Sequence, residues 1–246
     1  MRVRLAALAS LATLAVAACD LVSPPDAPSG RATGTAAPNA TAPVANSEIS
    51  TGPAAPAASA ADGAKGGGDD WRKVVSAADA SNLARLDQAW RMARDEAEER
   101  GYASQVEALG PLVDPNAGQA GRLQPPPGAY RCRTIKLGSK GDVGLGYVDY
   151  PWFRCTVELM PGGDLVLTKV SGSQRTRGLL YPDSDRRLVF VGAQAWGLDE
   201  QGYPAYGQQP IRDQVGVLER IGNSRWRLAV PWPRVESKLE ILELRR

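Results

Sequence analysis

From Ser76 onward the apolar positions fall at helical spacing. Leu83, Leu86, Trp90, Ala93 and Ala97 recur every third or fourth residue, with Arg85, Asp87, Arg91, Arg94, Asp95 and Glu96 between them. The spacing predicts one amphipathic helix with Ser76 as its cap, Asp79 in its first turn and Gly101 as its stop. Val106, Leu109 and Leu112 predict a second, shorter helix that ends at the Asp114-Pro115-Asn116 turn. After a Gly/Gln/Pro stretch through Pro125-Pro126-Pro127, the period changes to the alternation of strands. Cys155, Val157 and Leu159 alternate with Arg154, Thr156 and Glu158, as in a strand wetted on one side.

Strands are predicted at 129–137, 152–159, 165–170, 178–181, 188–193, 215–221, 225–230 and 239–244. Pro161-Gly162-Gly163-Asp164 and Gly222-Asn223-Ser224 carry the residue types of tight hairpins. The fold class read from this order is α+β. A short N-terminal helical subdomain (69–127) precedes a small antiparallel β-barrel or sandwich of about eight strands (128–246). The segment 194–210, rich in Gly, Tyr and Trp, is expected to form an ordered loop at the rim of the barrel.

The first 68 residues show neither period. Residues 1–18 combine two arginines, Arg2 and Arg4, with an apolar run and the small residues Ala17 and Ala18 before Cys19. That is the form of a secretory signal, too short for a membrane span. The placement of Cys19 resembles the lipobox of bacterial lipoproteins, which implies that Cys19 is acylated and heads the mature chain, anchored in the lipid bilayer. Asp20 directly after it resembles an inner-membrane retention signal. Residues 20–68 are almost wholly Ala, Pro, Ser, Thr, Gly and Asn, too poor in apolar surface to offset ordering entropy. They read as a tether whose ends lie about 40 Å apart. The implied location is the periplasmic side of a bacterial membrane.

The chain carries 29 basic and 27 acidic residues. Loss of Arg2 and Arg4 with the signal balances them, so net charge gives no case for a nucleic-acid partner. The distribution is uneven: net −4 over 69–114 and net +4 over 128–190. Either the two regions complement one another or a basic face meets an envelope protein or anionic envelope component. Histidine is absent, which removes serine–histidine and cysteine–histidine catalysis and the commonest metal ligand. With Cys19 acylated, Cys132 and Cys155 remain as an even pair in an oxidising compartment. The expectation is a disulfide stabilising the fold by about 3 kcal/mol; two buried thiols are the alternative.

Other chemistry is weaker. Residues 139–146 are glycine-rich but lack phosphate-loop spacing. Asp183-Ser184-Asp185 begins like a calcium loop, yet Arg186 and Arg187 follow, favouring an Asp–Arg network at a turn. Ser171, Ser173 and Lys169 are close in sequence, but Ser–Lys catalysis needs a desolvated lysine that the pattern does not reveal. No metal site and no cofactor are expected. Tyr147, Tyr150, Trp152 and Phe153 read as core packing near the disulfide, whereas Trp196, Tyr203 and Tyr206 in the long loop form a candidate binding surface.

Three stretches, 130–138, 150–155 and 181–188, together with the 216–228 hairpin, resemble an uncharacterised family of bacterial envelope proteins known only as a domain of unknown function. The likeness runs from about Trp71 to Leu244 and implies no activity. The function expected is a non-catalytic binding module of the envelope. An inhibitor of a lysozyme or secreted protease, with 170–177 or 194–210 as the blocking loop, is one alternative. A structural or assembly lipoprotein is another, and a carboxylate-based hydrolase is the enzymatic one.

Overall fold

The computed structural model describes residues 70–246. The signal, the acylation of Cys19 and the tether expected from the sequence fall outside these residues. The N-terminal helix is capped as expected: Ser76 Oγ accepts a hydrogen bond from the Asp79 amide at 3.1 Å. It is, however, two helices. Arg85 (φ −101°, ψ 21°) breaks the run into α1 (Ala77–Ala84) and α2 (Leu86–Ala97). The break has a packing reason: α1 lies on β7 (Asp213–Gly222) and β8 (Arg225–Pro231), while α2 crosses β8, β1 (Gly128–Ser139) and β9 (Ser237–Arg245). A straight helix would not follow that curved wall. The chain turns at Gly101 into α3 (Ala103–Glu107) and a short turn at Gly110–Leu112. Among the described residues no helix is long and apolar enough to cross a membrane.

The remaining strands are β2 (Tyr147–Asp149), β3 (Phe153–Leu159), β4 (Leu165–Lys169), β5 (Gln174–Pro182) and β6 (Leu188–Trp196). β1, β3, β4, β5, β6, β7, β8 and β9 pair antiparallel in that order, and β9 returns to β1 along Arg131–Ser139. The sheet is therefore a closed eight-stranded antiparallel barrel. β2 is the extra strand, pairing with Ile135–Leu137 of β1 beyond the point where β3 leaves it. Closure gives every ladder edge of these eight strands a partner.

Register fixes which side chains face inward. Cys132 lies level with Leu244, which faces Trp226; Leu242 faces Leu228 across the next step, and Leu228 faces Leu218. These residues, with Val157, Leu165, Leu180 and Leu188, fill one end of the interior. Phe190 fills the middle. A Cβ on Gly178 or Gly192, paired on β5 and β6, would stand 2.6 or 2.7 Å from its ring. Only glycine leaves room for the ring there. The Cys132–Cys155 disulfide joins β1 to β3 inside this packing. The Gly/Pro stretch plugs the same end: Trp226 Nε1 donates to Leu123 O at 2.8 Å and Tyr130 Oη to Pro126 O at 2.5 Å.

The outer wall is buried as well. Ile135, Leu137, Val217, Ala229 and Ile241 pack against Leu86, Ala89, Trp90 and Ala93. Buried on both faces, the central strands lose the alternation of a half-wetted sheet. Arg227, fully buried on β8, pins the helical segment to the barrel. Its guanidinium bonds the carbonyls of Pro111, Leu112, Asp114 and Pro115, pairs with Glu219 at 2.8 Å and lies 4.9 Å from the Trp90 ring.

Candidate functional site

The inward-facing positions at the opposite end of the interior are polar. Lys136 on β1 faces Glu240 on β9; Lys169 ends β4; Thr176, Gln194 and Gln214 follow on β5, β6 and β7. They have the same parity as Cys132, Cys155, Phe190 and Leu242 but lie further along each strand. Glu236 reaches in from the turn before β9, Tyr150 from the β2–β3 connection and Phe153 from the start of β3. A cavity of about 210 Å³ opens here, lined by Thr134, Tyr150, Phe153, Lys169, Ser173, Gln174, Glu236 and Glu240. It is a cup set in the barrel mouth.

Its charges are unevenly paired. Lys136 Nζ donates to Glu236 and to Gln174 Oε1 (2.6 Å), and stands 3.8 Å from Glu240. Burial pulls the Lys136 ammonium down, but Glu240 and Glu236 more than offset this and its pKa is raised. Lys169 has no carboxylate within ion-pair distance among the described residues. Its ammonium donates to Gln174 O at 2.6 Å and lies 4.1 Å from the Phe153 ring. Burial, with Lys136 and Arg175 nearby, brings its pKa down to about 8 despite the attraction of Glu240. Burial likewise pushes Glu240 above its ordinary value, against Lys136 and Lys169.

Two features set this end of the interior apart. Thr176 Oγ1 and Gln214 Oε1 are buried without a hydrogen-bond partner, a state costly for buried polar atoms. Glu236 holds φ at 70°, in the left-handed region that non-glycine residues seldom adopt.

The residues anticipated from the loop are brought to different places. Trp196 stands at the cup rim, its Nε1 donating to Gln194 Oε1 at 3.0 Å and its ring 4.8 Å from the Arg212 guanidinium. Tyr203 Oη donates to Lys169 O at 2.9 Å, behind the cup lysine. Tyr206 latches α1: its hydroxyl donates to Asp79 Oδ2 at 2.6 Å and accepts from the Ser76 amide at 2.9 Å. Tyr203 and Tyr206 also line a groove of about 490 Å³ on the outside of β4–β6. The aromatic group around Pro151 disperses too. Phe153 lines the cup with Tyr150, its ring against Lys169, Tyr147 stacks on Tyr102 at 5.5 Å, and Trp152 lies outside among arginines.

Lys169 is the desolvated lysine that the Ser–Lys reading lacked, yet Ser171 Oγ accepts from the Arg154 amide at 2.9 Å and no serine hydroxyl bonds Lys169 among the described residues. Asp183 forms the expected Asp–Arg network, with Arg187 at 2.7 Å and Arg72 at 3.1 Å, and accepts from Trp71 Nε1 at 2.8 Å. Lys136, Gln194, Gln214 and Glu240 were not foreseen as site residues. The signal was present, because Cys132, Thr134 and Lys136 share a parity that the disulfide marks as inward.

No curated protein and no solved structure matches the chain. Residues 71–244, which span the helices, the barrel and the cup, match the family described as a domain of unknown function, DUF4893, and the chain belongs to that family.

Proposed function

We propose that this protein is a non-catalytic binding module, held at the periplasmic side of a bacterial membrane by an acylated Cys19, and that the barrel cup takes its ligand. One observation carries the reading: Lys169, buried and without an ion-pair partner among the described residues, lines the cup, and Thr176 and Gln214, turned inward at the same end, hold two further buried atoms without hydrogen-bond partners. Such a site favours a small polar molecule with an anionic group for Lys169. A volume of 210 Å³ holds about seven waters, which suits an amino acid or a sugar acid.

The test uses Ala57–Arg246, a compact unit that carries the barrel, its core and its disulfide. Thermal unfolding is followed with a panel of amino acids and sugar acids. Expected is a ligand that raises Tm in proportion to its concentration and whose effect is lost in Lys169→Met. If no panel member shifts Tm at millimolar concentration, or if Lys169→Met responds as the parent does, the cup is not the site.

One observation favours a second reading, the carboxylate-based hydrolase. Glu240, pushed up by burial, and Glu236, pushed up by burial but held below its ordinary value by Lys136, both line the cup. Such a split serves acid–base chemistry. Against it, Lys136 bonds Glu236 and neighbours Glu240, so neither carboxylate is free to activate water. Glycoside or ester turnover abolished by Glu240→Gln would decide for it.

A further inference from the structure

Two adjacent rows of side chains on the outer wall of the barrel close their charges differently. In one, Arg133 lies opposite Glu243, Glu243 opposite Arg227, and Arg227 opposite Glu219. Signs alternate along the row, and both Arg227 and Glu243 are fully buried. The neighbouring row reads Arg154, Arg131, Arg245 and Arg225, on β3, β1, β9 and β8, each directly opposite the next. Like charges facing one another across strands weaken a sheet, so folding alone does not favour this row.

Glu243 leans into it. Its Oε1 accepts from Arg225 and Arg245 at 2.6 Å, and its Oε2 from Arg133 at 2.7 Å. Arg133 also meets Asp149 at 2.8 Å. Burial raises the Glu243 pKa, but Arg133, Arg245 and Arg225 hold it below its ordinary value. Arg131 and Arg154, both exposed, meet no carboxylate within ion-pair distance among the described residues. Five guanidiniums therefore face two carboxylates. Trp152 lies among them, its ring 4.8 Å from Arg131, 5.1 Å from Arg133 and 5.3 Å from Arg245. Four strands at sheet spacing spread the arginines over about 14 Å.

We propose that this row is the face with which the barrel lies on a bilayer of anionic headgroups. Guanidinium pairs with phosphate in a two-bond fork, which makes arginine the fitting cation. Tryptophan favours the level of the headgroups, where its apolar ring and its N–H are both accommodated. A row spread over about 14 Å matches a plane of many phosphates better than one bound anion. The surplus positive charge gives the attraction its sign, and each arginine multiplies partitioning by about five.

Vesicles of phosphatidylcholine, with and without a minority of phosphatidylglycerol, are sedimented with Ala57–Arg246, which lacks Cys19 and so reports the protein face alone. Expected is binding to the anionic vesicles only. Arg131→Gln/Arg154→Gln should lower it about 25-fold without lowering Tm, since neither residue has an ion-pair partner to lose. Arg91→Gln/Arg186→Gln, two exposed arginines elsewhere, should leave it unchanged. Equal loss in both double variants would reduce the effect to net charge and overturn the proposal. So would equal binding to pure phosphatidylcholine, release by free glycerophosphate, or tighter capture by an acidic polypeptide than by vesicles. The cup plays no part, and Lys169→Met should bind vesicles as the parent does whether or not the cup has a ligand.

Discussion

The two ends of the barrel interior are built from the same eight strands and treated in opposite ways. At the filled end the inward positions are apolar, and the backbone at Gly178 and Gly192 is cleared so that one ring can fill the middle. At the other end the same strands turn inward Lys136, Lys169, Thr176, Gln194, Gln214 and Glu240, leaving a cavity, two unpaired polar atoms and a strained Glu236. A chain selected only to fold would extend the first arrangement along the whole barrel. The filled end supplies the stability against which the hollow end is kept open.

Stability measurements separate the two ends. The largest loss should come from Phe190→Ala, which empties the centre of the filled end. Deleting a fully buried aromatic ring costs about 3–5 kcal/mol, read as a lower urea midpoint at unchanged slope. A loss below about 1 kcal/mol would mean that the middle layer collapses freely and is not a packed floor. Next comes Cys132→Ala/Cys155→Ala. Opening a loop with a sequence separation of 23 residues costs about 3 kcal/mol by chain entropy. The same loss should appear on adding a reductant to the parent, and no loss under reduction would show that the bond adds nothing to this core.

The filled end was legible in the sequence and the hollow end was not, for one physical reason. All eight predicted strands are present, and the hairpins at 161–164 and 222–224 sit where the turn residues put them. Yet the readings 178–181 and 188–193 stop short of the observed β5 (Gln174–Pro182) and β6 (Leu188–Trp196). The omitted residues include Gln174, which lines the cup, and Thr176, Gln194 and Trp196 at the same end of the barrel. Polar side chains at inward positions read as strand ends, so the site and the misplaced boundaries share a cause. β2 was missed because it is three residues long and pairs only with Ile135–Leu137. The arginine row was illegible for a different reason: Arg131, Arg154, Arg225 and Arg245 become neighbours only through register. The uneven charge over 128–190 was its one trace.

At the hollow end, removal of a charge should stabilise. Lys169 titrates near 8 in the fold and near 10.4 unfolded. Between these values the unfolded chain binds the extra proton, so parent stability climbs as pH rises from about 8 to about 10.4 and is flat below. At pH 7 the whole cost is present, and Lys169→Met should gain roughly 1–3 kcal/mol there. At pH 10.4 the gain should vanish. Urea unfolding at the two pH values checks this, and a pH-independent difference would place Lys169 in solvent.

Glu240 should show the opposite dependence on pH. Burial raises its folded pKa above the unfolded value, so the fold prefers the protonated form. That preference stabilises fully below the unfolded pKa of about 4.3 and is lost as pH rises through the folded value. Glutamine copies the protonated shape at every pH. Glu240→Gln should therefore match the parent near pH 4 and exceed it at pH 7. Lys136 at 3.8 Å offsets part of the cost of the buried charge, so the excess is smaller than burial alone would make it. If Glu240→Gln is less stable at pH 7, the Lys136 pairing outweighs burial, and the cup is then held together by its charges.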